Sequence, residues 1–551
     1  MLITNQDLKS LVLKNGLIDE KGFAKIEEDA KNSDYTVAET LVEKDIVTDE
    51  NLGILVSDFL KIPFIVLAKT TISPEVFNIV PEKMARKKKI IPFAKDSTGV
   101  KIAMEDPSNK ELVQMISKKI GLPITTYLAT EQDISNALRI YRKDLQNTFD
   151  QLIKESEIPM SKIVDLLISY AYQDKASDIH IEPEEKDSLI RFRIDGILHD
   201  VLFLPKNLHD QIITRIKILS RLRTDEHLSP QDGKMRINLE EENIDVRVSI
   251  LPVTEGEKAV LRLLSSKFRR FSLVDLGMNE KDLQKVTTAY NKSYGMILST
   301  GPTGSGKTTS IYAILKILNT REKNITTIED PAEYRIKGVN QINVNTKTSL
   351  TFANGLRSIL RQDPNIIFVG EIRDSETAGI AVNASLTGHL VLSTLHTNDA
   401  ATALPRLIDM DVEPFLVAST VNVIIAQRLV RKICEMCKST RTITKEELLK
   451  NLPTEVIGKH IEGKTNIIIY QGSGCKICHF TGYSGRIGVF EVLEVTKDIR
   501  DLIIKRQDAD VISQKAIEEG LTTMLDDGLE KVLKGLTTIE EVLRVTKIQN
   551  K

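Results

Sequence analysis

"GPTGSGKTTS", residues 301–310, follows the apolar run "YGMILST" at 294–300 and leads into "TTSIYAILKILN" at 308–319. Met296 to Leu298 reads as a buried strand, and the stretch behind the turn has the apolar spacing of a helix. The glycine-rich turn therefore sits between strand and helix. The pattern GxxxxGKT in that setting is specific for a nucleoside triphosphate, because its glycines let backbone N–H groups converge on phosphate oxygens. Gly301, Pro302, Thr303, Gly304, Ser305, Gly306, Lys307, Thr308 and Thr309 form this loop. Lys307 is expected on the β and γ phosphates and the Thr308 hydroxyl on Mg²⁺, with the positive end of the helix aimed at the same anion.

The chain has 551 residues, too many for one core, and a formal net charge of −2. Such a balance provides no bulk basic field of the kind that gathers nucleic acid, so no nucleic-acid partner is expected. The start, "MLITNQDLKS", lacks a secretory pattern, and no apolar run approaches the roughly 20 residues that span a bilayer, which gives a cytoplasmic reading.

Five segments are expected. Residues 1–62 carry short helical patterns such as "DEKGFAKIEEDAK" and "TDENLGILVSDFL". Residues 63–143 alternate brief β-rich runs with helices, as in "VKIAMEDPSNKELVQMISKKIG". The polar stretch at 144–159 reads as a linker, with continuation as helix the alternative. A second α/β unit at 160–270 holds "SDIHIEPEEKDSLIRFRIDGILHDV", whose alternation and Asp195-Gly196 turn suggest antiparallel strands. The nucleotide domain, 271–551, alternates strands and helices.

Hydrolysis also needs acids that hold the metal and orient water. "NITTIEDPAEY" ends a β-branched run in Glu329, and "PNIIFVGEIRD" ends an apolar run in Gly370-Glu371. Carboxyl ends of parallel strands line the ligand crevice, so both acids are candidates, Glu371 in the manner of a Walker B acid and Glu329 as a second catalytic acid. The alternative for either acid is a cap on the helix that follows. "TGHLVLSTLHTNDA" sets His389 and His396 at the two ends of another apolar strand. A lone histidine is more often structural, but a strand end beside the phosphates favours His396 over His389 as a sensor of phosphate state.

Four cysteines fall as Cys434/Cys437 and Cys475/Cys478, two CxxC pairs separated by a long loop. Two such knuckles suit a four-thiolate Zn²⁺ site spanning 430–490, in preference to redox use. The basic run "MARKKKIIPFAK" at 84–95 reads as a solvated face.

The order "GPTGSGKTT", "ITTIEDPAEY", "LRSILRQDPNIIFVGEIRD", "TGHLVLSTLHTNDA" resembles the secretion ATPases of type II secretion and type IV pilus assembly. "ASDIHIEP", "RFRIDG", "SPQDGKM", "IDVRVSILPVTEGEKAVLRLL" and the tail "GLTTMLDDGLEKVLKGLTTIEEVLRVTK" are also similar to that family. The resemblance implies an α/β, multidomain chain with a RecA-like P-loop motor, a preceding PAS-like domain, the zinc insert and an N-terminal helical plus α/β regulatory region. It further implies a homohexameric ATP hydrolase that moves an inner-membrane platform protein. Arg247 and Arg262 match the family's second-domain arginines that reach nucleotide phosphates, and Arg357, Arg361 and Arg373 match motor-domain arginines near the subunit boundary. Guanidinium forks there would neutralise phosphoryl charge while making a neighbour's approach depend on ATP; ordinary surface ion pairs are the alternative for each. The cysteine insert and the long amino-terminal region resemble assembly and export motors more than retraction motors. Some family members bind cyclic di-GMP through an arginine- and glycine-containing repeat, from which "DLKSLVLKNGLIDEKG" and "VAETLVEKDIVTDENL" depart, so that ligand is not expected. Pilus extension is the preferred expectation, with a type II secretion pseudopilus motor next, a DNA translocase or helicase less favoured, and a non-hydrolysing scaffold disfavoured by the complete set of acids.

Overall fold

The computed structural model describes residues 3–32, 36–44, 46–67, 70, 72–97, 99–138, 149, 160–239, 243–264, 272–449, 452–461 and 466–546. The chain divides into two compact units, one of residues 1–60 with 271–551 and the other of 61–270.

The amino-terminal helices are Asn5–Lys14, Glu20–Asn32, Val37–Glu43 and Asp49–Leu60. Thr4 and Thr36 start the first and third through reciprocal caps with Asp7 and Glu39, satisfying amides that a helix end leaves open. Leu8, Val12, Phe23 and Leu41 fill the space between the helices.

The second unit holds two sheets, each with its own core. Strands β1 (Ile90–Asp96), β2 (Gly99–Met104) and β3 (Ile124–Leu128) form the smaller, with β2 and β3 parallel across the helix Lys110–Ile120. The larger is antiparallel: β4 (Asp178–Pro183), β5 (Asp187–Ile194), β6 (Ile197–Pro205), β7 (Gln231–Asn238), β8 (Asn243–Val253) and β9 (Gly256–Leu264) lie in the order β6-β5-β4-β9-β8-β7. Asp195 and Gly196 both take positive φ, 51° and 90°, the geometry a two-residue hairpin turn requires. Helices Met160–Gln173 and Lys206–Leu219 pack on this sheet. The expected linker at 144–159 lies outside the described residues apart from Phe149, which is buried in the core of the larger sheet.

In the nucleotide domain, β10 (Gly295–Thr300), β11 (Ile325–Glu329), β12 (Asn340–Asn343), β13 (Ile366–Val369), β14 (Leu390–Leu395) and β15 (Val421–Ile433) run parallel. A short antiparallel pair, β16 (Lys438–Thr444) and β17 (Asn466–Gly472), interrupts the chain before β18 (Tyr483–Glu494), which closes the edge against β15. The main sheet has the order β12-β11-β13-β14-β10-β15-β18. Its central strands are largely apolar and buried because both faces are covered, whereas the edge strand β12, Asn-Gln-Ile-Asn, is polar and partly exposed. Met296 and Leu298 of β10 enter one core while Ile297 enters the other, as the twofold period of a strand dictates.

Within the same compact unit, the amino-terminal helices meet the helix Lys307–Leu318. Lys44 Nζ lies 2.8 Å from Lys316 O and 3.2 Å from Asn319 O, and Glu43 pairs with Lys316 Nζ at 3.1 Å. A cation thus sits on carbonyls that the helix end leaves unpaired. Burial pulls the Lys44 pKa below its usual value despite the nearby Asp29 carboxylate.

Candidate nucleotide site and cysteine cluster

Parallel register brings the candidate residues to one edge. Thr300 pairs with Leu395, Val369 with Ser393, and Ile328 with Val369. The residues that come next are Gly301, His396, Gly370-Glu371 and Glu329, so separate sequence motifs converge at the carboxyl ends of four neighbouring strands.

The loop after β10 follows its glycines. Gly301, Gly304 and Gly306 have φ of 144°, 78° and 91°. A Cβ at Gly301 would come within 2.6 Å of Gln427 O, and one at Gly306 within 2.7 Å of Gln427 Nε2, so larger residues meet both strain and neighbours. Gly306 begins the P-loop helix, Lys307–Leu318, without a side-chain cap, whereas Thr351 and Asp374 cap the helices Phe352–Ile359 and Ser375–Leu386. The uncapped amides are available to an anion. Lys307 is 8% exposed, and its Nζ donates to Gly301 O at 2.8 Å and Pro302 O at 3.1 Å. Burial lowers its pKa to about 8, offset in part by the charge of Glu371 and reinforced by that of Arg428. The Ser305 Oγ is buried and has no hydrogen-bond partner among the described residues, Pro302, Thr303 and Gly304 are exposed, and Thr308 and Thr309 are half-buried.

Glu371 Oε2 accepts from Arg373 Nε at 2.7 Å and lies 3.2 Å from His396 Nε2. Thr394 Oγ1 donates to Gly370 O at 2.7 Å, fixing the backbone just before the acid. His389, at the other end of β14, hydrogen-bonds Ala384 O at 3.0 Å. Glu329 is 3% exposed. Its Oε1 accepts from Thr327 Oγ1 at 2.6 Å and Gln341 Nε2 at 3.3 Å, and its Oε2 accepts from the Tyr312 hydroxyl.

Of the motor arginines, Arg357 pairs with Glu376 at 2.6 Å and Arg361 donates to Arg357 O at 3.1 Å; both are exposed contacts. Arg373 alone of these three touches a candidate acid. Arg247 and Arg262 lie in the other compact unit, directly opposite each other on β8 and β9. The Arg262 Nε donates to Asp178 Oδ1 at 2.9 Å.

Three residues next to the loop escape the motif reading. Gln427 of β15 donates to Ser305 O at 2.7 Å and accepts from Ser310 Oγ at 2.6 Å, bracing the loop from beneath. Arg428 donates to Asn398 Oδ1 at 3.0 Å, and burial lowers its pKa. Tyr312 is the third. The signal for the first two is a Gln-Arg pair inside the apolar run "VNVIIAQRLV", polar atoms that a buried strand retains only with partners.

Cys434 follows β15, and Cys475 and Cys478 flank the short turn that leads into β18. All four Sγ atoms lie within 4.8 Å of one another. Cys434 and Cys475 are 3.9 Å apart, Cys437 and Cys478 3.8 Å, and Cys475 and Cys478 3.7 Å. Four thiolates about 2.3 Å from one tetrahedral ion stand about 3.8 Å apart, so the donor set fits zinc. Burial would raise the Cys478 thiol, but the amides of Cys475 and Gly482, at 3.1 and 3.3 Å from its Sγ, outweigh it and hold the pKa down. Burial pushes Cys437 up to about 11. Among the described residues, no helix is long and apolar enough to cross a membrane.

The family model described as Type II/IV secretion system protein matches residues 154–544, and that of the MshEN domain matches 60–147. The chain is 36% identical over 561 residues to the type IV pilus assembly ATPase PilB of Myxococcus xanthus, covering 97% of this chain and 98% of the relative. It is 45% identical over 418 residues to the type II secretion system protein E of Pectobacterium carotovorum, covering 76% and 82%. The X-ray structure of the Legionella pneumophila ATPase DotB superposes with a TM-score of 0.53 at 20% identity, over 71% of this chain and 97% of that one, and shares the fold.

Proposed function

The chain belongs to the Type II/IV secretion system protein family and is an ATP-hydrolysing secretion ATPase, and from that premise we propose that it is the cytoplasmic hexameric motor that extends a type IV pilus. The observation that carries the choice is length. Similarity to a pilus assembly ATPase runs over 97% of this chain, amino-terminal region included, while that to type II secretion proteins covers from 75% to 83%. The higher identity to the latter, 45% against 36%, supports a second reading, a motor for a secretion pseudopilus.

In either setting Lys307 leaves its loop carbonyls for the β and γ phosphates, and Thr308 takes one position on Mg²⁺. Glu371, next to His396, and Glu329 share metal placement and orientation of the attacking water. His396 reports the phosphate state to Glu371. Arg247 and Arg262, with Arg357, Arg361 and Arg373, couple neighbouring subunits by meeting phosphoryl charge. The ring acts on an inner-membrane platform protein. Cys434, Cys437, Cys475 and Cys478 hold zinc, which when bound clips the start of β16 to the start of β18.

The test is a strain lacking this chain, complemented by the wild type or by Lys307→Ala. Loss of surface pili with unchanged protein secretion, restored by the wild type alone, is expected. Loss of secretion with pili intact would instead favour the pseudopilus motor.

A further inference from the structure

The P-loop helix carries a second polar group besides Lys307 that reaches a strand end. Tyr312 is fully buried, and its hydroxyl donates to Glu329 Oε2 while accepting from Glu333 N at 3.3 Å and Gln341 Nε2 at 3.4 Å. Its ring packs edge-on against Tyr334, with centroids 4.7 Å apart, and against Phe368 of β13 at 6.1 Å. One side chain thus joins the helix that grips phosphate, the acid at the end of β11, and the strand that leads to Glu371.

The surroundings of Glu329 are chemically unusual. The residue is 3% exposed, yet its carboxylate's hydrogen bonds come from the neutral donors Tyr312, Thr327 and Gln341. Among the described residues no lysine, arginine or histidine forms an ion pair with it. A buried carboxylate ordinarily needs a cation beside it. Neutral donors instead fix its direction while leaving its charge unspent for a cation or a polarised water. Ring packing alone needs no hydroxyl, which a phenylalanine would lack without loss of apolar contact.

We propose that Tyr312 is a positioning residue that ties the P-loop helix to Glu329 and sets the orientation of that carboxylate for hydrolysis. The inference rests on the assignment of Glu329 to the hydrolytic step. Movement of the helix as phosphate binds then moves a donor on the acid, so nucleotide grip and acid geometry change together.

Steady-state hydrolysis of Mg-ATP by Tyr312→Phe, Glu329→Gln and the double variant provides the test. Tyr312→Phe is expected to lower kcat about tenfold to a hundredfold, the effect of one hydrogen bond to a charged group, with KM within about twofold of wild type. The double variant is expected to be no slower than Glu329→Gln, since the hydroxyl acts through that carboxylate. Thermal melting of each variant reports folding. If Tyr312→Phe fails to fold, Thr327→Val, which removes the donor on the other oxygen, is expected to give the same split between kcat and KM. A wild-type kcat in a folded Tyr312→Phe beside a slow Glu329→Gln overturns the proposal and leaves the site intact. A raised KM with kcat unchanged, or losses that simply add in the double variant, also overturns it. Full activity in Glu329→Gln removes the role of the acid and the proposal with it.

Discussion

Among the described residues, the Lys307 ammonium hydrogen-bonds only carbonyl oxygens of its own loop, at 2.8 and 3.1 Å. Lys307→Ala therefore removes little that holds the fold: its melting midpoint is expected within about 3 °C of wild type, while turnover falls at least about a hundredfold. Calorimetry beside a phosphate-release assay checks both halves, and normal turnover would remove the site assignment. The loop was fully legible because one short segment contains all its chemistry, with glycines at fixed intervals before the lysine. Glu329, Glu371 and His396 were legible as strand-end residues, since apolar runs end visibly. Tyr312, Gln427 and Arg428 were not, because their partners are set by packing between distant segments. The fifth position beyond the lysine looks like any apolar helical residue until the fold brings it against β11.

Strand β15 connects the loop to the rest of the motor. Gln427 braces Ser305, and farther along Arg431 pairs with Glu541 of the helix Ile539–Val545 at 2.7 Å. Burial would push the Glu541 carboxyl up, but Arg544 and Arg431 outweigh it and bring the pKa from 4.5 to about 2. Because the folded value is depressed, the associated stability is present above about 4.5 and is lost as pH falls through about 2, a contribution of about 3 kcal/mol. Glu541→Gln is expected to lose about that much at neutral pH and to flatten the acid limb of stability across this window, as measured by denaturant unfolding at a series of pH values. The cysteine cluster belongs to the same scale. Purified protein is expected to carry about one zinc per chain, and Cys437→Ser to lose it and melt several degrees lower; metal analysis that finds none in reduced protein would end the zinc assignment. Hairpin β5–β6 was readable from alternation and Asp-Gly, and the cysteine spacing announced its cluster. What spacing does not reveal is that the long loop between the CxxC pairs folds into β16, β17 and two helices whose core includes Leu529 and Val532 of the helix Met524–Leu533; those contacts join residues remote in the chain.

At the scale of the molecule, the proposed ring predicts activity that depends on assembly. Hydrolysis per chain is expected to rise with protein concentration until the oligomer is complete, and Arg247→Ala or Arg262→Ala to lower its plateau while leaving the assembled mass unchanged by light scattering. A flat concentration profile would exclude coupling between subunits. The grouping of segments into compact units could not be read from shifts in composition. Residues 1–60 fold into one compact unit with the motor, far along the chain, through contacts such as Glu43 with Lys316. Lys44, on the neighbouring position, rests on the last carbonyls of the helix whose first turn frames the phosphate loop. That rod is therefore tethered at its rear tip by the opening helices, while its front tip keeps uncapped amides facing the loop.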